Sequence, residues 1–128
     1  MKYMRVWKRS LKSLKQNKIL SLLGLATRAA AVVSGGFMTE KAVRSGRARL
    51  VIVGDDASDN TKKTFRNMCT FHRIPCFFYA TKEELGHAMG KEMRASLAVT
   101  DDGFAKSLIG HLETAEQRRQ QNGENEDI

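Results

Sequence analysis

The chain has 128 residues, of which 41% are hydrophobic, and its formal net charge is +8. This length is typical of one domain, and the hydrophobic fraction excludes a wholly disordered protein. The two cysteines are too few for a disulfide scaffold, and no apolar stretch approaches the ~20 residues of a membrane-spanning helix. We therefore expect one cytoplasmic domain that has no membrane as a partner.

The positive charge is concentrated in the first part of the chain. Residues 1–49 contain twelve Lys and Arg and one acid, whereas residues 50–128 contain ten Lys and Arg and thirteen acids. A segment with this excess of bases attracts polyanions, because each neutralised phosphate releases condensed counterions. The charge pattern indicates a nucleic acid as the leading partner.

The two ends of the chain differ in composition from its centre. Residues 1–17 contain six bases and no acid, with Trp7, Leu11 and Leu14 at helical spacing. We expect either a basic helix that forms on contact with a partner or a flexible solubilising extension. Residues 116–128 are polar, so we expect a disordered tail there.

The first predicted elements of the central domain, residues 18–115, alternate between helix and strand. Apolar spacing predicts a helix over residues 19–26, a short strand over 30–33 and a helix over 38–45. The strand over 50–53 is apolar on both faces, which is typical of a sheet covered by helices on each side.

The same alternation continues to the end of the domain. A helix over 59–72 must end before a proline, and the strand over 76–79 follows it. A capping box begins the helix over 81–89, the fourth strand covers 96–100, and a last helix covers 101–112. This order predicts an α/β fold, a three-layer α/β/α sandwich with a central four-stranded mixed sheet.

No catalytic constellation is visible in the sequence. The histidines His72, His87 and His111 have no nucleophile at a sequence spacing that would indicate a catalytic pair. Cys69 and Cys76, together with His72, are one ligand short of a structural zinc site, and both fall in apolar surroundings. We interpret the cysteines as core residues and expect no enzyme, no metal and no cofactor.

A glycine-rich turn leads into a basic helix. Gly35 and Gly36 lack side chains, so the backbone of a ligand can approach them closely. The N-terminus of the next helix offers free N–H groups to a phosphate or a base edge. Lys41 and Arg44 share one face of that helix. The alternative interpretation is an ordinary solvated basic face.

Residues 35–53, GGFMTEKAVRSGRARLVIV, resemble the signature of the ribosomal protein L7Ae family. In that family Gly-x-Asn-Glu-x-x-Lys precedes a helix, a glycine turn and an apolar strand. Residues 55–61, 82–86 and 98–105 resemble its YlxQ-like bacterial branch, and the similarity covers about residues 18–112. The resemblance implies an α/β/α fold and binding to kink-turn RNA, which bends sharply at a bulge beside tandem sheared G·A pairs.

The resemblance also implies which residues contact RNA. Lys41 would contact the G·A region, Gly35 and Gly36 would allow close approach of the RNA backbone, and Lys62 would lie near an extruded base. The bulged nucleotides would be covered by the loop of Lys91, Glu92, Met93 and Arg94.

Two positions depart from the family pattern. The Asn-Glu pair of archaeal members falls on Phe37 and Met38 here. A phenyl ring and a thioether cannot hydrogen-bond base edges, so Phe37 would at most stack on a base. Alternatively, both side chains pack inward. We expect binding to depend on phosphates, with weaker selectivity for kink-turns and a steep salt dependence.

Three functions remain open. The leading hypothesis is a monomeric binder of structured RNA, such as ribosomal RNA, in a ribosomal or ribosome-associated protein. The second is the substrate-recognition domain of an RNA-modifying enzyme, although we expect no room for a catalytic domain in 128 residues. The third is a general basic RNA-binding or protein-interaction adaptor without kink-turn specificity.

Overall fold

The structure, a computed structural model, describes residues 18–126. A first helix, α1, covers residues 18–28. The elements that follow it are β1 (Val32–Ser34), α2 (Gly36–Arg44), β2 (Leu50–Val53), α3 (Asp59–His72), β3 (Cys76–Phe78), α4 (Lys82–Ala88), β4 (Ser96–Val99) and α5 (Asp102–Glu126). The predicted alternation of helices and strands is confirmed. The boundaries of most elements differ from the predicted ones by no more than two residues.

The four strands form one mixed sheet in the order β1-β4-β2-β3. β4 is antiparallel to both of its neighbours, and β2 is parallel to β3. Strands β1, β2 and β3 therefore run in one direction, so the helices that follow them begin at the same end of the sheet. The loop before β4 also reaches this end. We call this end of the sheet the N-cap end. It is formed by residues 35–36, 54–59, 79–82 and 90–95.

Helices cover both faces of the sheet. In β2, Leu50 and Ile52 face the core formed with α1, α4 and α5, whereas Val51 and Val53 face the core formed with α2 and α3. Successive side chains of a strand point to opposite faces, so a strand of four buried residues needs a helical layer on each side. The predicted three-layer α/β/α sandwich is confirmed.

Side chains cap the helices as the sequence patterns indicate. Thr81 and Glu84 form the predicted capping box, each side chain accepting a hydrogen bond from the backbone N–H of the other. Asp101 accepts a hydrogen bond from the N–H of Phe104 at 2.9 Å and caps α5. The cap of α3 is Ser58, one residue before the predicted start. Capping explains the positions of these residues without a metal ion.

The end of α3 differs from the prediction. Cys69 is buried, as expected, and Cys76 is half-buried; a hydrogen bond with Cys76 and burial raise the pKa of Cys69. The spacing of Phe65, Cys69 and His72 predicts that His72 shares one apolar stripe with them, but His72 is exposed. A helix of 14 residues is about 21 Å long, whereas a strand of four residues spans about 13 Å. The last turn of α3 therefore extends beyond the sheet.

The C-terminal segment also differs from the expectation. α5 continues to Glu126, so residues that we expected to be a disordered tail are helical. Residues 115–121 are good helix formers, and Arg119 forms an ion pair of 3.3 Å with Asp55 at the N-cap end. The basic extension, residues 1–17, lies outside the described residues. Among the helices of residues 18–126, none is both long and apolar enough to cross a membrane.

Candidate nucleic-acid interface

The turn before α2 is open to solvent and depends on one glycine conformation. Gly35 has φ 93° and ψ 155°, which side-chain-bearing residues rarely adopt. Its N–H donates to the carbonyl oxygen of Ser96 at 2.9 Å, and its carbonyl accepts from the N–H of Thr39 at 2.9 Å. A Cβ added to Gly35 or to Gly36 would meet no atom within 4 Å. The space beside both glycines is therefore free for a ligand.

Phe37 and Met38, at the positions of the family's Asn-Glu pair, face solvent. Phe37 is 77% exposed and Met38 is 39% exposed, so the expectation that they pack inward is wrong. The inner face of α2 is instead formed by Thr39, Ala42 and Val43, which are all buried. Helical spacing leaves Phe37 on the opposite side, where its ring is available for stacking on a base.

The two predicted cations of α2 lie at different distances from the turn. Lys41 is exposed and forms no ion pair with the other residues in the range 18–126. Arg44 pairs with Glu40 at 2.6 Å and is the last residue of the helix. Eight residues along a helix correspond to about 12 Å, so the structure does not bring Arg44 to the glycine turn.

The predicted bulge-covering loop lies beside the glycine turn. The Arg94 Nε donates to the Oγ of Ser34 at 3.3 Å, directly before Gly35. A Cβ added to Gly86 in α4 would overlap the carbonyl oxygen of Glu92, so the loop packs closely on that helix. Met93 is exposed in the same loop. Sequence reasoning missed Ser34, because only the pairing of β1 with β4 brings it to Arg94.

Lys62 lies on the β3 side of the sheet, away from β1, which leads into the glycine turn. It is in the first turns of α3, and its Nζ is 6.0 Å from the ring centroid of Phe78. Phe78 ends β3, which is separated from β1 by two strands. Three strand spacings are about 14 Å, so Lys62 would reach a different part of a bound nucleic acid than Gly35 does.

Two acidic residues at the N-cap end, Asp55 and Asp56, are engaged by other parts of the protein. Asp56 accepts a hydrogen bond from the N–H of Lys82 at 2.8 Å, and Asp55 pairs with Arg119. No group of three or more His, Cys, Asp or Glu within the described range has the geometry of a metal site. These contacts reduce the repulsion that Asp55 and Asp56 would exert on a phosphate.

Comparison with known proteins identifies the family of this chain. The profile of the ribosomal protein L7Ae/L30e/S12e/Gadd45 family matches residues 17–109. The chain belongs to this family. The predicted resemblance is therefore confirmed, and the matched range includes every residue of the candidate interface.

Two relatives of this L7Ae-family chain are named RNA-binding protein YlxQ. The relative from Bacillus subtilis (strain 168) is 45% identical over 92 residues, which are 72% of this chain and 92% of the relative. The relative from Enterococcus faecium is 35% identical over 91 residues, 71% of this chain and 87% of the relative. The branch of the family expected from the sequence is thereby confirmed.

Two solved structures share the fold. One, a protein with unknown function from Bacillus halodurans C, has a TM-score of 0.73 and 38% identity and covers 75% of this chain and 97% of its own. The other, the Giardia lamblia 15.5kD RNA binding protein, has a TM-score of 0.67 and 21% identity. The match covers 78% of this chain and 88% of the Giardia chain. The second likeness concerns the fold alone.

The N-cap end of this L7Ae-family domain combines three kinds of binding group. The N–H groups of residues 36–38 have no partner inside the helix, as in any first helical turn. Lys41 contributes a free positive charge, and Phe37 contributes an exposed ring. N–H groups and a cation suit phosphates, whereas the ring suits an unstacked base.

Proposed function

We propose that this protein binds structured RNA of the kink-turn type at the N-cap end and catalyses no reaction. The observation that carries the proposal is the exposed ring of Phe37 beside the open turn of Gly35 and Gly36. The names of the two YlxQ relatives support RNA as the ligand. RNA with splayed, unstacked bases is recognised through such combinations of stacking and backbone contacts.

The proposal includes a mode of recognition that depends little on base edges. The first-turn N–H groups of α2 and Lys41 bind phosphates, Phe37 stacks on a base, and the loop of residues 91–94 covers bulged nucleotides. An amide and a carboxylate would read guanine edges, but Phe37 and Met38 cannot. The preference for a kink-turn over a duplex then comes from shape and from the unpaired bases.

The proposal also concerns the cellular setting. We propose a monomer that associates with ribosomal RNA in the cytoplasm, and membership in a family of ribosomal proteins supports the ribosomal RNA. The free thiols of Cys69 and Cys76 suit a reducing compartment. A ribosomal role would be tested by following the protein through sucrose-gradient fractions of ribosomal particles at increasing salt.

A salt titration tests the central proposal. Affinity is measured for a kink-turn RNA, a matched duplex without the bulge, and a duplex DNA. We expect the kink-turn RNA to bind most tightly and its affinity to fall steeply with salt. Equal affinity for all three ligands would contradict kink-turn recognition. Absence of binding at about 100 mM salt would favour a protein-interaction adaptor.

Substitution of Phe37 tests the stacking contact. Loss of one base–aromatic stack costs ~1–3 kcal/mol, so Phe37→Ala should weaken binding of the kink-turn RNA at least fivefold. Leu25→Ala is the matched control, because Leu25 is also exposed but lies on α1, on the opposite face of the sheet. Equal effects of the two substitutions would remove Phe37 from the interface.

A further inference from the structure

An open groove lies between the C-terminal halves of α2 and α3, away from the N-cap end. Phe71 in this groove is 82% exposed, and the ring of His72 stands edge-on to it with centroids 5.1 Å apart. The groove is lined by Arg44, Asn67, Met68, Phe71 and His72. Phe71 does not stand alone, because Met68 and His72 line the same groove, and grouped exposed apolar side chains mark interaction sites.

The groove continues from the candidate interface. α2 follows β1 and α3 follows β2, and both strands are antiparallel to β4. The two helices therefore leave the N-cap end side by side in the same direction. From Lys62 to Phe71 the helix rises by about 14 Å. A strand that occupied the N-cap end would need about four stacked nucleotides, at ~3.4 Å each, to reach Phe71.

The charges along this path favour a polyanion over a protein segment. After Asp59 in its first turn, α3 contains no further acid. Lys63 lies on the same row of α3 as Asn67 and Phe71, at spacings of four residues. Lys62 and Arg66 instead lie over the ring of Phe78, on the β3 side of the helix. Arg44, on α2, forms the opposite wall, and its pair with Glu40 is exposed, so solvent screening keeps it weak. A basic groove that ends on an exposed aromatic ring is typical of single-stranded nucleic-acid binding.

We propose that a single-stranded RNA flank follows the groove between α2 and α3 and stacks one base on Phe71. The inference rests on the proposed function, because the folded part of the same RNA occupies the N-cap end. In this arrangement Arg44 contacts the single-stranded flank, which is the second RNA contact of the domain, rather than the RNA at the glycine turn. The phosphates of the flank lie along Lys63 on α3 and Arg44 on α2.

The test compares a kink-turn RNA with blunt ends to the same RNA with a single-stranded tail. The tail has about five nucleotides, enough to span the ~14 Å path, and is placed on each end and strand in turn. For one tail position we expect the affinity to rise at least fivefold, the lower limit for one stacked base. A photoreactive base in that tail should crosslink to the peptide that contains Phe71.

Substitutions at Phe71 assign the gain to the groove. Phe71→Ala should abolish the gain from the tail and leave the affinity for the blunt RNA unchanged, whereas Phe71→Trp should preserve both. Leu25→Ala, on the opposite face of the sheet, should preserve the gain. A gain that persists in Phe71→Ala, or a gain that no tail position produces, would overturn the inference.

The outcomes separate this inference from the proposed function. Binding of the blunt RNA without any gain from a tail leaves the proposed function intact and removes the second contact. Failure of the blunt RNA to bind removes the proposed function and the inference with it. Concentration-dependent self-association that Phe71→Ala abolishes, in the absence of a tail gain, would assign the groove to a second copy of the chain.

Discussion

At the scale of single residues, the two glycines at the start of α2 have different structural roles. Gly35 has a backbone conformation that a Cβ would strain, whereas Gly36 is the first residue of the helix. The sequence predicts both as positions of close approach, because glycine identity alone does not distinguish a strained turn from a helix start. The dihedral angles make this distinction, and it has a measurable consequence for stability.

Gly35→Ala should lower the free energy of unfolding by ~1–3 kcal/mol, because alanine must adopt the strained conformation. Gly36→Ala should leave it unchanged or raise it by up to ~1 kcal/mol, because alanine favours the helix. Urea unfolding of both variants checks the difference. Equal stabilities of the two variants would mean that the Gly35 conformation relaxes without cost.

Lys41 provides the second prediction at this scale. Lys41→Ala should weaken binding of kink-turn RNA by ~1–3 kcal/mol if its ammonium reaches a base edge, and by less for a matched duplex. Lys106→Ala, an exposed lysine near the start of α5 at the other end of the sheet, is the control and should have no effect. A loss that is the same for every RNA would make Lys41 a phosphate contact.

The outward position of Phe37 could have been predicted from the sequence. Thr39, Ala42 and Val43 are spaced to share one helical face, and two of them are apolar. With that face inward, Phe37 must point outward and Met38 must lie at the edge of the buried face. The alternative that both side chains pack inward follows from their apolar character and neglects their helical phase. The phase is the more reliable guide, because every side chain of a helix shares one geometry.

At the scale of elements, short-range signals were predicted well and long-range contacts were not. The capping box of α4 and the cap of α5 involve residues three positions apart, so their chemistry is visible in the sequence. The contact of Arg94 with Ser34 spans 60 residues and depends on the strand order. The ion pair of Arg119 with Asp55 likewise joins residues that are far apart in the sequence, so no local pattern contains it.

Gly86 tests how firmly α4 positions the loop of residues 91–94. A side chain at Gly86 must displace the backbone of Glu92, so Gly86→Ala should lower the free energy of unfolding by ~1–3 kcal/mol and weaken RNA binding. The control is Gly110→Ala in α5, where an added Cβ meets no atom within 4 Å. Unfolding and RNA-binding measurements on both variants check this.

The result for Gly86→Ala has a clear contrary outcome. Gly110→Ala should be neutral or stabilise the helix, because alanine replaces glycine in a helix interior. If Gly86→Ala is less stable but binds kink-turn RNA as tightly as the parent protein, the loop is not part of the RNA interface. Reduced RNA affinity in Gly110→Ala would instead indicate a general effect of substitution.

At the scale of the whole molecule, the fold redistributes the charge seen along the sequence. Along the sequence, the excess of positive charge falls within residues 1–49, and α3 belongs to the remainder, in which acids outnumber bases. In the structure, α3 packs beside α2, so Lys62, Lys63 and Arg66 add to the field of Lys41. Charge counted along a chain cannot anticipate which helices become neighbours. The basic surface of the domain is therefore a property of the α2–α3 layer.

The same topology fixes where the basic extension joins the domain. α1 ends at residue 28 and turns directly into β1, so the two run in opposite directions. Because β1 ends at the N-cap end, the start of α1 lies toward that end too. Lys18, the first described residue, therefore lies toward the side of the candidate interface.

Deletion of residues 1–17 should lower RNA affinity and its salt dependence without unfolding the domain. The core residues Ile19 and Leu23 are already buried by contacts within the described residues. Removal of six bases should reduce the slope of log affinity against log salt by up to about 4–5, at ~0.7–0.9 per phosphate contact. A variant with these six bases replaced by glutamine separates charge from chain length and should match the deletion. A melting temperature that falls sharply on deletion would instead make the extension part of the fold.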